Sequence, residues 1–169
     1  AVFTTIRALH RRALPGPDGT MLRDRQVEAL VGQHVAASRF TAEVLRAPWA
    51  RADEVYRARW PTALGALLQR RLLRALSDPL RYQLTVGDVT VDAACEDATV
   101  HLTLTERRRK QVVQLSLRLE RRDGPWAVWD VLSPEVSLMR TWRSRFARAA
   151  RHQGSLEGLD RELGELARR

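Results

Sequence analysis

Asp130 carries the strongest hint of chemistry in this chain. It is an acid set inside an apolar run, Trp126-Ala-Val-Trp-Asp-Val-Leu132. Such a carboxylate can serve as the general base of a small α+β enzyme of the isomerase or dehydratase type. It can equally accept hydrogen bonds from backbone donors, or pair with an arginine at the strand edge. The second reading is favoured, because no other catalytic group lies near it in sequence. His10, His34, His101 and His152 are widely spaced and show no metal-ligand interval, and there is no glycine-rich phosphate loop or serine elbow. Cys95 is the single cysteine. It excludes an internal disulfide and a cysteine-based zinc site, and is expected to be a buried structural thiol.

The basic residues offer a different chemistry. There are 29 of them against 20 acids, for a net charge of +9, and all but Lys110 are arginine. A GC-rich coding sequence is enough to produce that skew; attraction to nucleic acid, lipid headgroups or an acidic protein face is the functional alternative. Arg107-Arg108-Arg109-Lys110 falls between two strand-like runs, so a solvated hairpin tip is the first expectation and a docking or headgroup role the second. A basic nucleic-acid-binding domain would interleave exposed aromatics with such residues. Here the aromatics lie on apolar stripes, and no nucleic-acid partner is expected.

The elements that position these groups read as helices, then strands, then helices. Phe3, Ile6, Leu9 and Ala13 repeat at helical spacing up to the turn Pro15-Gly16-Pro17-Asp18-Gly19. Val27, Leu30, Val31 and Val35 mark a second helix, and Phe40, Val44 and Leu45 continue its spacing to Pro48. After Trp49 and a short polar step, Tyr56, Trp60, Leu64, Leu68 and Leu72 step by four, one apolar stripe of a long helix. Pro61 inside that stripe should start a new segment or kink the helix. Ser77-Asp78-Pro79 closes the helical half.

From Tyr82 the period becomes two. Leu84, Val86, Val89 and Val91 form one strand with a bulge or bend at Gly87-Asp88. Val100, Leu102 and Leu104 form the next, then Val113, Leu115, Leu117 and Leu119. Trp126 to Leu132 follows the turn at Asp123-Gly124-Pro125 and has bulk on both faces, as a strand covered on both sides would. Two helices finish the chain, one from about Pro134 or Ser137 to Gln153, the other carrying Leu156, Leu159, Leu163 and Leu166 with Ser155 as its cap. The fold class is α+β: an antiparallel sheet of about four strands, with N- and C-terminal helices packed on one face. We expect one cone-like domain over 1–169, helical over 1–78, sheet over 81–132 and helical again over 134–167. No run of eighteen apolar residues is present. The chain opens at Ala1 without a charged-then-apolar leader, as after removal of a signal peptide or a trimmed start. Five tryptophans among ten aromatic residues suggest wide apolar walls.

Several of these residues together resemble the MlaC family of periplasmic phospholipid carriers, also called toluene-tolerance auxiliary proteins. The family's Trp-x-Val-x-Asp-Val strand is similar to Trp126-Ala-Val128-Trp-Asp130-Val131. Its Val-Ser-Leu step is similar to Val136-Ser137-Leu138, and its aromatic-Arg-x-x-Phe helix to Trp142-Arg143-Ser-Arg-Phe146. Gly154, Leu159 and Leu163 resemble its closing Gly-x-x-x-x-Leu-x-x-x-Leu. Upstream, Leu45 to Trp49 and then Tyr56, Trp60 and Leu64 resemble its Leu-Gly-x-x-Trp and aromatic helix. The likeness spans roughly residues 27 to 166. Arg46 stands where the family usually has glycine, Ser133-Pro134-Glu135 replaces its Glu-Gly turn, its Thr-Pro step before the long helix is missing, and Pro61 is additional.

The resemblance implies no catalysis and no cofactor, with phospholipid as cargo. It also implies a periplasmic location and, as partners, an inner-membrane lipid ABC transporter and an outer-membrane lipoprotein complex that together maintain outer-membrane lipid asymmetry. A hopanoid or another lipid is an alternative cargo. On this reading Tyr56, Trp60, Leu64 and Leu68 form a helical lipid-binding wall. Leu102, Leu104, Leu115 and Leu117 form the sheet wall, and Val136, Trp142 and Phe146 the corner. At about 0.8 kcal/mol per buried CH₂, two acyl chains contribute on the order of 20 kcal/mol gross, so the pocket must be deep. Its volume should lie near or above the top of the usual range of roughly 300–1,000 Å³. Release then requires a partner that favours an opened state.

Overall fold

The computed structural model describes residues 32–76, 81–122, 124–134, 136–153 and 155–168. The expected first helix, the Pro15–Gly19 turn, Val27, Leu30 and Val31, Ser77-Asp78-Pro79 and Gly154 lie outside the described residues. Within them, α1 (Ala37–Leu45), α2 (Ala47–Arg51) and α3 (Glu54–Leu76) precede β1 (Tyr82–Val91), β2 (Asp97–Glu106), β3 (Val112–Glu120) and β4 (Ala127–Leu132). The helices α4 (Leu138–Gln153) and α5 (Leu156–Arg168) follow.

The strands form an antiparallel meander in the order β1-β2-β3-β4. The period of two fixes its faces. Val100 pairs with Leu117 and Leu102 with Leu115 on the apolar side, while Thr99 pairs with Arg118 and His101 with Ser116 on the polar side. The register slips between Val86 and Val89, at the expected Gly87-Asp88 bulge. A second slip opposite Arg118 and Leu119 leaves Trp129 as the extra residue of β4.

Val35 departs from the expected helix. It bridges Val128 in parallel, the Ala36 N–H donates to Val128 O at 2.8 Å, and the Val128 N–H donates to His34 O at 2.7 Å. An open β4 edge needs hydrogen-bond partners, and residues 34–36 supply them at the expense of helical spacing. β4 is consequently enclosed, with Val128, Trp129 and Asp130 all buried.

The helix expected to run to Pro48 ends instead at Leu45, because Arg46 turns to φ 47°, ψ −106° and Ala47 starts α2 with Pro48 in its first turn. A side chain disfavours this positive φ by about 1 kcal/mol or more relative to glycine. Arg46 offers only an exposed ion pair with Glu43 at 3.9 Å in return. Arg46→Gly should therefore raise stability by about 1 kcal/mol, moving the thermal midpoint up by roughly 2–4 °C. An unchanged or lowered midpoint in a calorimetric scan would contradict this.

Pro61 neither starts nor ends a helix: α3 runs through it. The carbonyl it leaves without a helical donor belongs to Arg57, which is exposed and can be hydrated. Close approach of α1 to α3 relies on Gly65, where a Cβ would meet that of Ala37 at 2.7 Å. Cys95 is another correction. It is exposed at φ 55° in the β1–β2 connection, where Asp92 Oδ1 accepts the N–H groups of Glu96 and Asp97 at 2.8 and 2.9 Å. Turn geometry, not core packing, decides its place, and those donors hold the Asp92 carboxyl below its usual pKa.

Candidate functional site

The corner between β4 and α4 is held by Asp130, which is fully buried. Its Oδ1 accepts the N–H groups of Val131 at 2.8 Å and Met139 at 2.9 Å, and its Oδ2 accepts the Ser137 hydroxyl at 2.7 Å. The Ser137 Oγ in turn caps α4 by accepting the Arg140 N–H at 3.1 Å. A carboxylate and a hydroxyl thereby satisfy donors of the first turn, where negative charge is also favoured by the helix dipole. Between them Ser133 and Val136 close a tight turn through the Ser133 N–H to Val136 O bond of 2.8 Å. Asp130 is thus a latch between strand and helix, the structural reading of this acid.

Two further contacts tie the helices together. Arg143 donates from Nε to the Glu43 carbonyl at 2.8 Å and from Nη2 to the Glu43 carboxylate at 2.9 Å, joining α4 to α1. Trp60 Nε1 donates to Asp160 Oδ1 at 3.0 Å, joining α3 to α5, and Arg59 pairs with the same carboxylate. Tyr56 stacks on Trp60 at 5.0 Å. Its phenol is pushed above its usual pKa by burial, then by the charges of Glu157, Asp160 and Asp53. Ser155 caps α5 as expected, through the Gly158 N–H at 3.2 Å.

The structure brings most of the nominated apolar residues into one cluster. Trp60, Leu64, Leu68, Leu102, Leu117, Trp142 and Phe146 are buried there, with Tyr56 and Leu115 packed on its margin. Trp142 and Phe146 stack at 5.6 Å. Leu104 is buried one pair further along the sheet, outside the cluster. Val136 does not join them: its side chain is 51% exposed, because its backbone is committed to the turn. Trp60, Leu64 and Leu68 are wholly inaccessible, so they act here as close-packed core. Partly covered apolar surface lies instead at Leu84, Val86, Val89 and Leu115, on the same sheet face toward β1. Sequence reasoning placed Leu84, Val86 and Val89 on a strand but not in a site. The signal that would have found them is that β1, first of a meander, has a neighbour on one side only.

The polar side of the sheet carries a cleft of about 320 Å³ lined by Arg39, Thr90, Asp92, Asp97, Arg118 and Trp129 among others. Arg39 pairs with Asp97 and with Glu120, the latter at 3.2 Å, and lies 4.3 Å over the Trp129 ring, whose other guanidinium neighbour is Arg118 at 5.4 Å. Burial opposes the Arg39 charge, but its hydrogen bond to Asp97 and the two carboxylates outweigh it and raise its pKa. A smaller cleft of about 130 Å³ lies beside Pro48, Arg51 and Leu156. Neither cleft is lined by the nominated wall residues. Among the described residues, no three His, Cys, Asp or Glu side chains group as metal ligands, and no helix is long and apolar enough to cross a membrane. His34 Nδ1 lies 3.2 Å from Trp126 O and His101 Nδ1 2.8 Å from Ser116 Oγ, local contacts with no shared centre.

Fold and interior define a class: a small α+β protein with a four-stranded meander, helices on its apolar face and a capped strand-to-helix corner. Within that class the chain belongs to the MlaC family, whose profile, described as MlaC protein, matches residues 4–165. A solved structure with the same fold is the phospholipid-binding protein from Ralstonia solanacearum, determined in complex with a phospholipid. It is 22% identical, with a TM-score of 0.78 over 98% of this chain and 94% of that one. No protein of curated function matches the sequence significantly.

Proposed function

We propose that this chain is a lipid carrier of the Gram-negative periplasm, working as one domain over 1–169. It would bind the acyl chains of a phospholipid against the apolar face of its sheet and shuttle the lipid between membranes. The observation that carries this reading is the apolar sheet face that continues past the sealed core. Leu84, Val86, Val89 and Leu115 extend it and are only partly covered, in a fold whose Ralstonia relative was determined with a phospholipid. Delivery and removal of cargo by an inner-membrane lipid ABC transporter and an outer-membrane lipoprotein complex complete the proposal. They supply the differential affinity that a tightly held lipid needs for release.

The Asp130 carboxylate gives the enzyme alternative little support, since its acceptor sites already serve three donors. Delipidated protein should take up a fluorescent phospholipid saturably, with unlabelled phospholipid competing. Leu115→Asp should weaken uptake by about tenfold or more, because it places a charge where methylenes would lie. Uptake that never saturates, or that ignores this substitution, would count against the proposal.

A further inference from the structure

We propose that the β2–β3 tip docks the protein on anionic phospholipid bilayers. Arg107, Arg108, Arg109 and Lys110 are all exposed there, and the Arg107 N–H donates to the carbonyl of Arg81, bringing a fifth cation alongside. The single acid between Ala98 and Leu119 is Glu106, whose carboxylate is held by Arg81 Nε at 3.1 Å. The next acids along the hairpin, Asp97 and Glu120, face each other at its opposite end. At about 3.3 Å per residue they lie roughly 30 Å from the tip, beyond the Debye length of about 8 Å at physiological salt. The hairpin therefore concentrates four exposed cations at its tip, with Glu106 the nearest acid of the hairpin and already engaged by Arg81.

Apolar groups accompany that charge. Val112 is 58% exposed and Val113 43%, two of the five large apolar side chains exposed among the described residues. Val112 pairs with Thr105 and Val113 with Leu104, so the valines flank the strand on opposite faces. Cations around a pair of aliphatic side chains suit a headgroup layer with acyl chains beneath it. Nucleic acid would call for exposed rings to stack on bases, and Tyr82, paired with Glu106 beside the tip, is half-buried with the Arg81 guanidinium 5.2 Å from its centre.

The tip is also preorganised. Glu106 N–H donates to Gln111 O at 2.8 Å and Lys110 N–H to Glu106 O at 2.9 Å, so docking orders little backbone. Val113 pairs with Leu104, and Leu104 with Leu84, which leads onto the partly covered sheet face. On the carrier reading, on which this last point rests, docking sets the end of that face against the bilayer.

Co-sedimentation with vesicles tests the surface. The probe is phosphatidylcholine with about one third phosphatidylglycerol, compared with phosphatidylcholine alone. The triple variant Arg108→Gln, Arg109→Gln, Lys110→Gln should lose about 100-fold in affinity for the anionic vesicles, at about fivefold per cation. A control with the same charge removed from exposed α4 positions, Arg140→Gln, Arg148→Gln, Arg151→Gln, should lose less than about threefold. Val112→Ser with Val113→Ser should weaken binding without changing net charge. Equal losses in the two triple variants, or no preference for anionic vesicles, would overturn the proposal. Lipid co-purifying with each variant separates the two readings. A chain that carries lipid but ignores anionic vesicles defeats the docking surface alone, and one that docks but carries none defeats only the carrier.

Discussion

Asp130→Ala should destabilise the fold by about 3 kcal/mol and lower the thermal midpoint by roughly 6–12 °C. The substitution removes an acceptor for the Ser137 hydroxyl and the Met139 N–H, both in the buried corner. Stranding buried donors costs more than the net worth of the lost bonds, and bonds to a charged acceptor are among the stronger ones. Asp130→Asn should fall in between, because its amide nitrogen can accept from neither donor while its oxygen still serves one. Ser137→Ala should cost about 1–2 kcal/mol as a lost cap. It should add less than fully to Asp130→Ala, since the two side chains share a bond. Denaturant titrations of the parent, the three single variants and the Asp130→Ala/Ser137→Ala double variant measure this directly. A change below about 1 kcal/mol for Asp130→Ala would show that the latch does not hold the corner.

The second large effect is expected at Trp60. It is wholly buried and bonds Asp160 across the α3–α5 interface. Trp60→Ala should cost about 3–5 kcal/mol, mostly through the cavity it leaves. Asp160 keeps its pairing with Arg59 at 3.0 Å and some solvent access, so little of the loss comes from an orphaned acceptor. Trp60→Phe isolates that part and should cost about 1 kcal/mol beyond its small volume change. If Trp60→Ala were nearly neutral in thermal unfolding, the close-packed core assigned to α3 would be wrong. A wall residue facing open space would give that result instead.

Periodicity carried much of the architecture. The alternation of Val100, Leu102 and Leu104 with His101 and Thr103 gave strand, face and neighbours, and the four-residue step from Tyr56 to Leu72 gave α3. The corner motif was also visible, although the roles of Asp130, Ser137 and Arg143 depend on contacts that no local pattern encodes: Arg143 reaches Glu43 across 100 residues. Val35 has the spacing of a helix, yet the open edge of β4 recruits it as a strand partner. Burial preference puts Cys95 in the core but says nothing of the turn at φ > 0 that it occupies. Val136 belongs by sequence to the corner, yet tight turns commit backbone and leave side chains outside. The distinction between core and wall was the least legible, since Leu68 and Leu115 are equally apolar and differ only in what covers them.

Whether this chain holds a phospholipid can be read from mass spectrometry of an organic extract of the detergent-free purified protein. The extract should contain phospholipid in stoichiometric amount, lost when Leu115→Asp disrupts the sheet face while the protein stays folded. A folded, monodisperse protein that yields no lipid, and takes up none on exposure to phospholipid vesicles, would contradict it.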